Sequence, residues 1–247
     1  MARFAVILPA AGKSERFSEN EKKKPFVDLK GRAVWVRTAE LFVNRDDVVQ
    51  TLVVIAPDDL EWFKDRYRPN LAFMDIEIIA GGARRIDSVA NAVAEVRGDV
   101  DFVAVHDAAR PLLVKSWIST VFSAAEQHGA VIPAVRVTST LKRIGEAGTI
   151  AETVSRDGVW EAQTPQVFRR DLLVKAVEQR GESEATDEAQ LVEQAGHAVH
   201  VIDGWPMNLK ITTRADFDMA RALVNALPDD KPLTRLHPFS DEDPRDL

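Results

Sequence analysis

The feature that most constrains this chain is a series of strand-length apolar runs with little of the polar–apolar alternation of a half-exposed sheet. They are FAVILPA (4–10), VVQTLVVIA (48–56), IEIIA (76–80), DFVAVHD (101–107) and GAVIPAV (129–135). Strands covered on both faces read this way, as in parallel sheets flanked by helices. Helical patterns fill the gaps: SVANAVAEV (88–96) places Val89, Val93 and Val96 on one face, and WISTVFSAAEQ (117–127) does much the same. The alternation predicts an α/β fold built on a doubly wound, mostly parallel sheet. Ligands of such sheets sit at the carboxyl ends of the strands, so PAAG (9–12) and HDAARP (106–111) should share a crevice.

One stretch breaks the rhythm. Residues 136–160 have Thr- and Val-rich arms around GEAG, which predicts a β-hairpin that either reaches another subunit or lies on the surface alone. Beyond it, helices are expected over 186–196, with Thr186 as N-cap, and over 213–227, opened by Thr213 with Asp216 three residues on. The main domain is expected to span 1–227, and the Asp- and Pro-rich tail, 228–247, to be disordered. The net charge of −7 argues against a nucleic-acid binder. The absence of cysteine excludes disulfides, thiolate nucleophiles and cysteine-held metals. No run approaches a membrane span, the first apolar run reads as a strand and not a signal peptide, and a cytoplasmic protein is expected.

GKS at 12–14 ends like a P-loop, but the first glycine of that signature falls on Ile7, inside a strand where no wrapping loop can form. The dinucleotide glycine fingerprint fails as well. Arg16 and Lys24 flank the polar segment FSENEKK, which reads either as a loop bringing cations to a polyphosphate or as a solvated charged turn. Asp107 and Arg110 read either as a magnesium or hydroxyl ligand beside an anion clamp, or as an N-cap aspartate with an exposed arginine. In GGARRIDSV (81–89), Gly82 lets backbone approach a ligand and Ser88 is expected to open a helix; an ordinary turn and cap would look the same. Arg156, Thr164, Thr186 and Lys210 complete the candidates; the last lies in a strand-like run and needs a partner or solvent. The histidines form no metal constellation, and no serine sits in a nucleophile elbow.

Taken in order, PAAGKSERF, KKKPF, GGARRIDSV, VHDAARP, TVSRDGVWEAQTPQVF, TDEA and NLKIT resemble the 2-C-methyl-D-erythritol 4-phosphate cytidylyltransferase family over residues 4–225. The resemblance implies a Rossmann-like nucleotidyltransferase fold with an inserted β-arm, acting on CTP and methylerythritol phosphate with Mg2+. It implies that Arg16, Lys24 and Lys210 lie at the phosphates and that Ala10, Ala11, Gly12, Gly82 and Ser88 hold the cytidine. It implies Asp107 and Arg110 at the sugar alcohol, with Asp107 at the metal, and Arg156, Thr164 and Thr186 at methylerythritol phosphate. A homodimer through the arm is implied too. Ser14 departs from a frequent glycine, and Ala83 replaces a polar residue that some relatives place beside the base. The alternatives are a ribitol 5-phosphate cytidylyltransferase of the same fold and a catalytically silent nucleotide-binding module.

Overall fold

The computed structural model describes residues 1–12 and 23–228. Its strands are β1 (Phe4–Pro9), β2 (Asp28–Leu29), β3 (Arg32–Ala33), β4 (Val48–Ile55), β5 (Ile76–Ala80), β6 (Phe102–Val105), β7 (Ala130–Arg136), β8 (Leu141–Ile144), β9 (Ile150–Val154), β10 (Trp160–Ala162), β11 (Gln166–Arg169) and β12 (His200–Asp203). Its α-helices are α1 (Val34–Val43), α2 (Leu60–Met74), α3 (Arg85–Ala94), α4 (Lys115–His128), α5 (Arg170–Glu178), α6 (Glu188–Gln194) and α7 (Arg214–Leu223).

All five apolar runs become strands of one sheet, ordered β10-β7-β11-β6-β1-β4-β5, with β12 also pairing β7. β6, β1, β4 and β5 run parallel, whereas β11 is antiparallel to both β6 and β7. The uninterrupted apolar sequence of β1 follows from its burial on both faces. Phe4, Val6 and Leu8 join a core with residues of α1, α2 and α4, while Ala5 and Ile7 join a second core with residues of α3, α5 and α6. Removing these side chains from water contributes roughly 1.5–3 kcal/mol for each large one. Ile7 is fully buried in β1, which accounts physically for the failure of the P-loop reading.

The chain visits β1, β4 and β5 in that order and then crosses back to place β6 on the other side of β1. The order reverses between β1 and β6, the position where open α/β sheets form their ligand crevice. The segments following β1 and β6 therefore lie side by side, Ile7 being in register with Val105.

The stretch 136–160 does contain a hairpin. β8 and β9 pair antiparallel as a separate two-stranded sheet, with Leu141 opposite Val154 and Ile144 opposite Ile150. GEAG makes its turn: Gly145 N–H donates to the Thr149 carbonyl, and Gly148 adopts a φ of 72° that an L side chain would resist. One local expectation needs correction. The cap of α6 is Asp187, whose carboxylate accepts from Gln190 N–H at 3.0 Å, and not Thr186. Thr213 does cap α7, in a reciprocal box with Asp216. The expected disordered tail lies outside the described residues from 229 onward.

Candidate active site

The carboxyl ends of β1, β4, β5 and β6 open into a cavity of about 690 Å³. Ala10, Ala11 and Gly12 line it after β1, Pro57 and Asp58 after β4, Gly81–Arg85 after β5, and Asp107 after β6; Lys24, Ser88 and Lys210 complete the wall. Eight candidates from the sequence thus meet in one place: Ala10, Ala11, Gly12, Lys24, Gly82, Ser88, Asp107 and Lys210.

The glycine turn is shaped by packing. A Cβ on Gly82 would lie 2.6 Å from the Asp87 Cβ, and one on Gly81 would lie 2.8 Å from that of Ala11, so only glycine lets the turn close onto α3. Ser88 does not open that helix, which begins at Arg85; it lies within the first turns, nearly buried. Its Oγ accepts from Gly82 N–H and donates to the Arg84 carbonyl, each at 3.0 Å. The start of α3 is held instead by the Asp87 carboxylate, which accepts from Arg84 N–H at 3.3 Å and from the Arg84 guanidinium at 3.0 and 3.1 Å.

Lys24 sits on a short 3-10 helix, Lys24–Phe26, and its segment is better anchored than a polar loop would be. Phe26 is buried against Trp62, Phe63 and Tyr67, with ring centroids 5.2, 5.6 and 6.2 Å away. Lys23 forms an ion pair with Asp59 beside α2. Arg16 and Ser14 lie outside the described residues.

The charged centre is built on the turn after β6. Asp107 is buried, and its carboxylate meets Lys210 Nζ at 2.9 Å, Arg110 Nε at 3.2 Å and Arg85 Nη2 at 3.6 Å. Burial alone would raise its pKa, but Lys210, Arg85 and Arg110 outweigh that and hold it well below the usual carboxylate range. Asp107 is therefore neither an N-cap nor partnered by an exposed arginine: Arg110 is mostly buried and also donates to the Asn208 carbonyl at 2.7 Å.

The backbone beneath this centre is fixed by a chain of hydrogen bonds. Asp107 N–H donates to Thr164 Oγ1 at 3.1 Å, and that hydroxyl lies 3.0 Å from His106 Nδ1. His106 Nε2 lies 3.0 Å from the Arg110 carbonyl. Complete burial pushes the His106 pKa down to about 4, leaving a neutral ring at pH 7. The partners assign the tautomer: Nε2–H donates to the carbonyl, and Nδ1 accepts from the threonine. Thr164 is thus buried support directly behind Asp107.

Lys210 is placed by its own segment. Asn208 is fully buried and donates to the Thr164 carbonyl at 2.8 Å, while Ile211 N–H bonds the Ala109 carbonyl at 2.9 Å. The partner that a lysine in an apolar run required is Asp107.

Four described candidates do not line the cavity: Arg110 and Thr164 lie against Asp107, and Arg156 and Thr186 are at the surface. Arg156 is exposed beyond β9 and donates to the Thr138 carbonyl; Thr186 is exposed before α6, its carbonyl 3.5 Å from Arg85 Nη1. The sequence reading missed Arg85, Glu188, His106 and Asn208. For Arg85 and Glu188 a signal was available, since each is a charge on a helix face otherwise carrying small or apolar residues. Arg85 shares its face with Ser88, Val89 and Ala92; Glu188 shares its face with Leu191 and Val192.

Comparison with known proteins places this arrangement in a family. Residues 4–226 match the family model for 2-C-methyl-D-erythritol 4-phosphate cytidylyltransferase. The chain is 39% identical to that enzyme of Dechloromonas aromatica (strain RCB), covering 92% of this chain and 99% of the relative. It is 40% identical to the bifunctional enzyme IspD/IspF of Desulfotalea psychrophila, over 89% of this chain but only 56% of that longer protein. A crystal structure of 4-diphosphocytidyl-2C-methyl-D-erythritol synthase superposes with a TM-score of 0.76 at 31% identity, covering 91% of this chain and 99% of the other. With the family model matching nearly the whole chain and the cavity wall drawn from the motifs that carry the likeness, the protein belongs to the 2-C-methyl-D-erythritol 4-phosphate cytidylyltransferase family.

Proposed function

We propose that this chain transfers the cytidylyl group of CTP to 2-C-methyl-D-erythritol 4-phosphate, giving 4-diphosphocytidyl-2-C-methyl-D-erythritol and pyrophosphate. Family membership supports the reaction, and one observation carries the chemistry: Lys24, Lys210 and Arg85 converge with the buried Asp107 on a cavity at the switch point of the sheet. In the transfer, an oxygen of the acceptor phosphate attacks the α-phosphorus of CTP, the bond to the β-phosphate oxygen breaks, and pyrophosphate leaves. Negative charge is spread over the phosphoryl oxygens during this exchange, and fixed cations lower its barrier. Lys24 and Lys210 fill that role from the cavity wall, with Arg16 assigned the same role from the sequence. The backbone of Ala10–Gly12 and of Gly82 receives the nucleoside, and the hydroxyl of Ser88 acts by holding the Gly82 turn in place. Asp107, with Arg110 paired to it from behind the wall, is assigned to the acceptor from the sequence.

Mg2+ belongs to the same proposal. No cluster of three or more acid or histidine donors occurs among the described residues, and Asp107 already faces three cations. That donor set fits an ion carried by the nucleotide phosphates, with Asp107 as its protein oxygen, better than a resident cage. Such an ion would neutralise phosphate charge.

Arg156 and Thr186, assigned to the acceptor phosphate by resemblance, lie off the cavity wall. The reading of Arg156 depends on a homodimer in which the arm of one copy reaches the cavity of another, whereas Thr186 lies beside Arg85 of its own chain. The exposed pair Ile144 and Ile150 on that arm supports a partner surface. Among the described residues no helix is long and apolar enough to cross a membrane, and a cytoplasmic location is part of this reading.

The test is pyrophosphate release by the purified chain with CTP and Mg2+, offering methylerythritol phosphate or ribitol 5-phosphate. Release with methylerythritol phosphate alone is expected. Release with ribitol phosphate alone would retain the chemistry and reject the substrate; no release with either would bring forward the silent nucleotide-binding module.

A further inference from the structure

Outside the residues assigned above, the buried charge that stands out most is Glu188. It is 1% exposed at the start of α6 and receives a two-pronged contact from Arg85: Nη1 to Oε1 at 2.7 Å and Nη2 to Oε2 at 3.0 Å. The same guanidinium reaches toward two further groups. Nη2 lies 3.6 Å from Asp107 Oδ1, and Nη1 lies 3.5 Å from the Thr186 carbonyl. Arg85 also lines the cavity, from the first turn of the helix whose preceding turn is Gly81–Gly82. One side chain therefore joins three places: the nucleotide-side helix α3, the central carboxylate and the segment carrying Thr186.

From this geometry we infer that Arg85 is a positioning residue, anchored by Glu188, that couples the nucleotide cavity to the acceptor-side segment Thr186–Glu188. The inference rests on the proposed reaction for its two substrates, but the contacts stand independently of it. A planar fork fixes direction as well as distance, which a lysine cannot reproduce. With Glu188 as a carboxylate, the fork is held away from full pairing with Asp107, which leaves that carboxylate shared among three cations. Without the Glu188 charge, Arg85 is free to close on Asp107, and the Thr186 segment loses its tether to α3. A pair serving stability alone would predict lower thermal stability with unchanged kinetic constants in the folded variant.

The experiment uses Glu188→Gln and Arg85→Lys in the full chain, with circular dichroism to establish folding and pyrophosphate release to separate kcat from KM for each substrate. In each folded variant the acceptor KM should rise by about tenfold or more and kcat should fall, while the KM for CTP moves less, because a misplaced positioning contact acts on the transfer geometry. The double variant should be little worse than either single one, as expected for groups acting as a unit. Acceptor KM and kcat unchanged within twofold in the folded variants would overturn the proposal.

Hydrogen exchange on the unaltered protein provides a test that does not depend on variants folding. Adding CTP should slow exchange in residues 184–192 as well as in α3; protection of α3 with no change in 184–192 overturns the coupling. Should the unaltered chain release no pyrophosphate with either acceptor, the proposed function fails by itself, and the exchange experiment still decides whether the two segments are coupled.

Discussion

Acidification from pH 7 to pH 5 should destabilise this protein through one imidazole. His106 is completely buried, with its ring nitrogens committed to Thr164 and the Arg110 carbonyl, and its pKa falls from 6.5 to about 4. Between those values the unfolded chain binds a proton that the folded chain refuses, so stability rises with pH across that window. The contribution is fully present above 6.5 and is lost progressively as the pH falls toward 4. At pH 5 the unfolded imidazole is almost entirely protonated and the folded one is about nine-tenths neutral, a loss of about 2 kcal/mol relative to pH 7. Asp107 does not contribute in this window, because its depressed pKa removes stability only when the pH falls into and below the ordinary carboxylate range. Glu188 acts with opposite sign: burial pushes its carboxyl upward against the pull of Arg85, so its protonation on acidification favours the folded state. The measurement is therefore a difference between the parent and His106→Gln, which keeps a donor and an acceptor without titrating. Urea unfolding at pH 7 and pH 5 should show the variant less stable at pH 7 but losing about 2 kcal/mol less than the parent on acidification. Parallel losses in the two proteins, or an imidazole resonance of His106 that titrates near 6.5, would refute the reasoning.

Lys24→Ala should lower kcat about 100- to 1,000-fold, the scale for removing one transition-state charge contact; pyrophosphate release near the parent rate in a folded variant would remove Lys24 from the chemistry. Gly82→Ala sets a Cβ 2.6 Å from that of Asp87, so the start of α3 must move. It should cost about 1–3 kcal/mol in urea unfolding and raise the KM for CTP; normal values for both would mean that the turn is not constrained. Replacing Ile144 and Ile150 together with glutamate should leave the fold intact and shift sedimentation from dimer to monomer, with lost turnover if Arg156 acts across the interface. A parent already monomeric at assay concentration would reject the arm reading.

The sheet was legible because its signal is local: strands buried on both faces have no polar side to show, and the runs 4–10, 48–56 and 76–80 became strands within a residue or so of the expected bounds. The crevice followed from the general rule for such sheets, which is why PAAG and HDAARP could be placed together from the sequence alone. The errors at Thr186 and Ser88 share another cause. Both are good capping residues, and the role went to a neighbouring carboxylate in each case, Asp187 for α6 and Asp87, which accepts from Arg84 N–H, for α3. Side-chain direction at a helix start is set by the packing of the helix, and a single sequence carries little of that.

The charge centre shows the same limit on a larger scale. Arg85 and Glu188 are 103 residues apart, and each alone reads as a polar residue in a turn or first helical turn. What makes them partners is that α3 and α6 lie on the same face of the sheet, where residues from both helices enter one apolar core. A charge buried in such a layer without a counter-charge would be strongly destabilising, so one on the apolar face of one helix implies its opposite on a neighbour. Counting charged residues on expected apolar faces, rather than searching for motifs, is the sequence signal that leads to this pair. Once the pair is placed, Asp107 follows as the third member, because Arg85 lies 3.6 Å from it and Lys210 needs a partner in the same crevice. Arg85, Arg110 and Lys210 with the buried carboxylates Asp107 and Glu188 are thus one ion-pair network, and its parts fold into place through the sheet order.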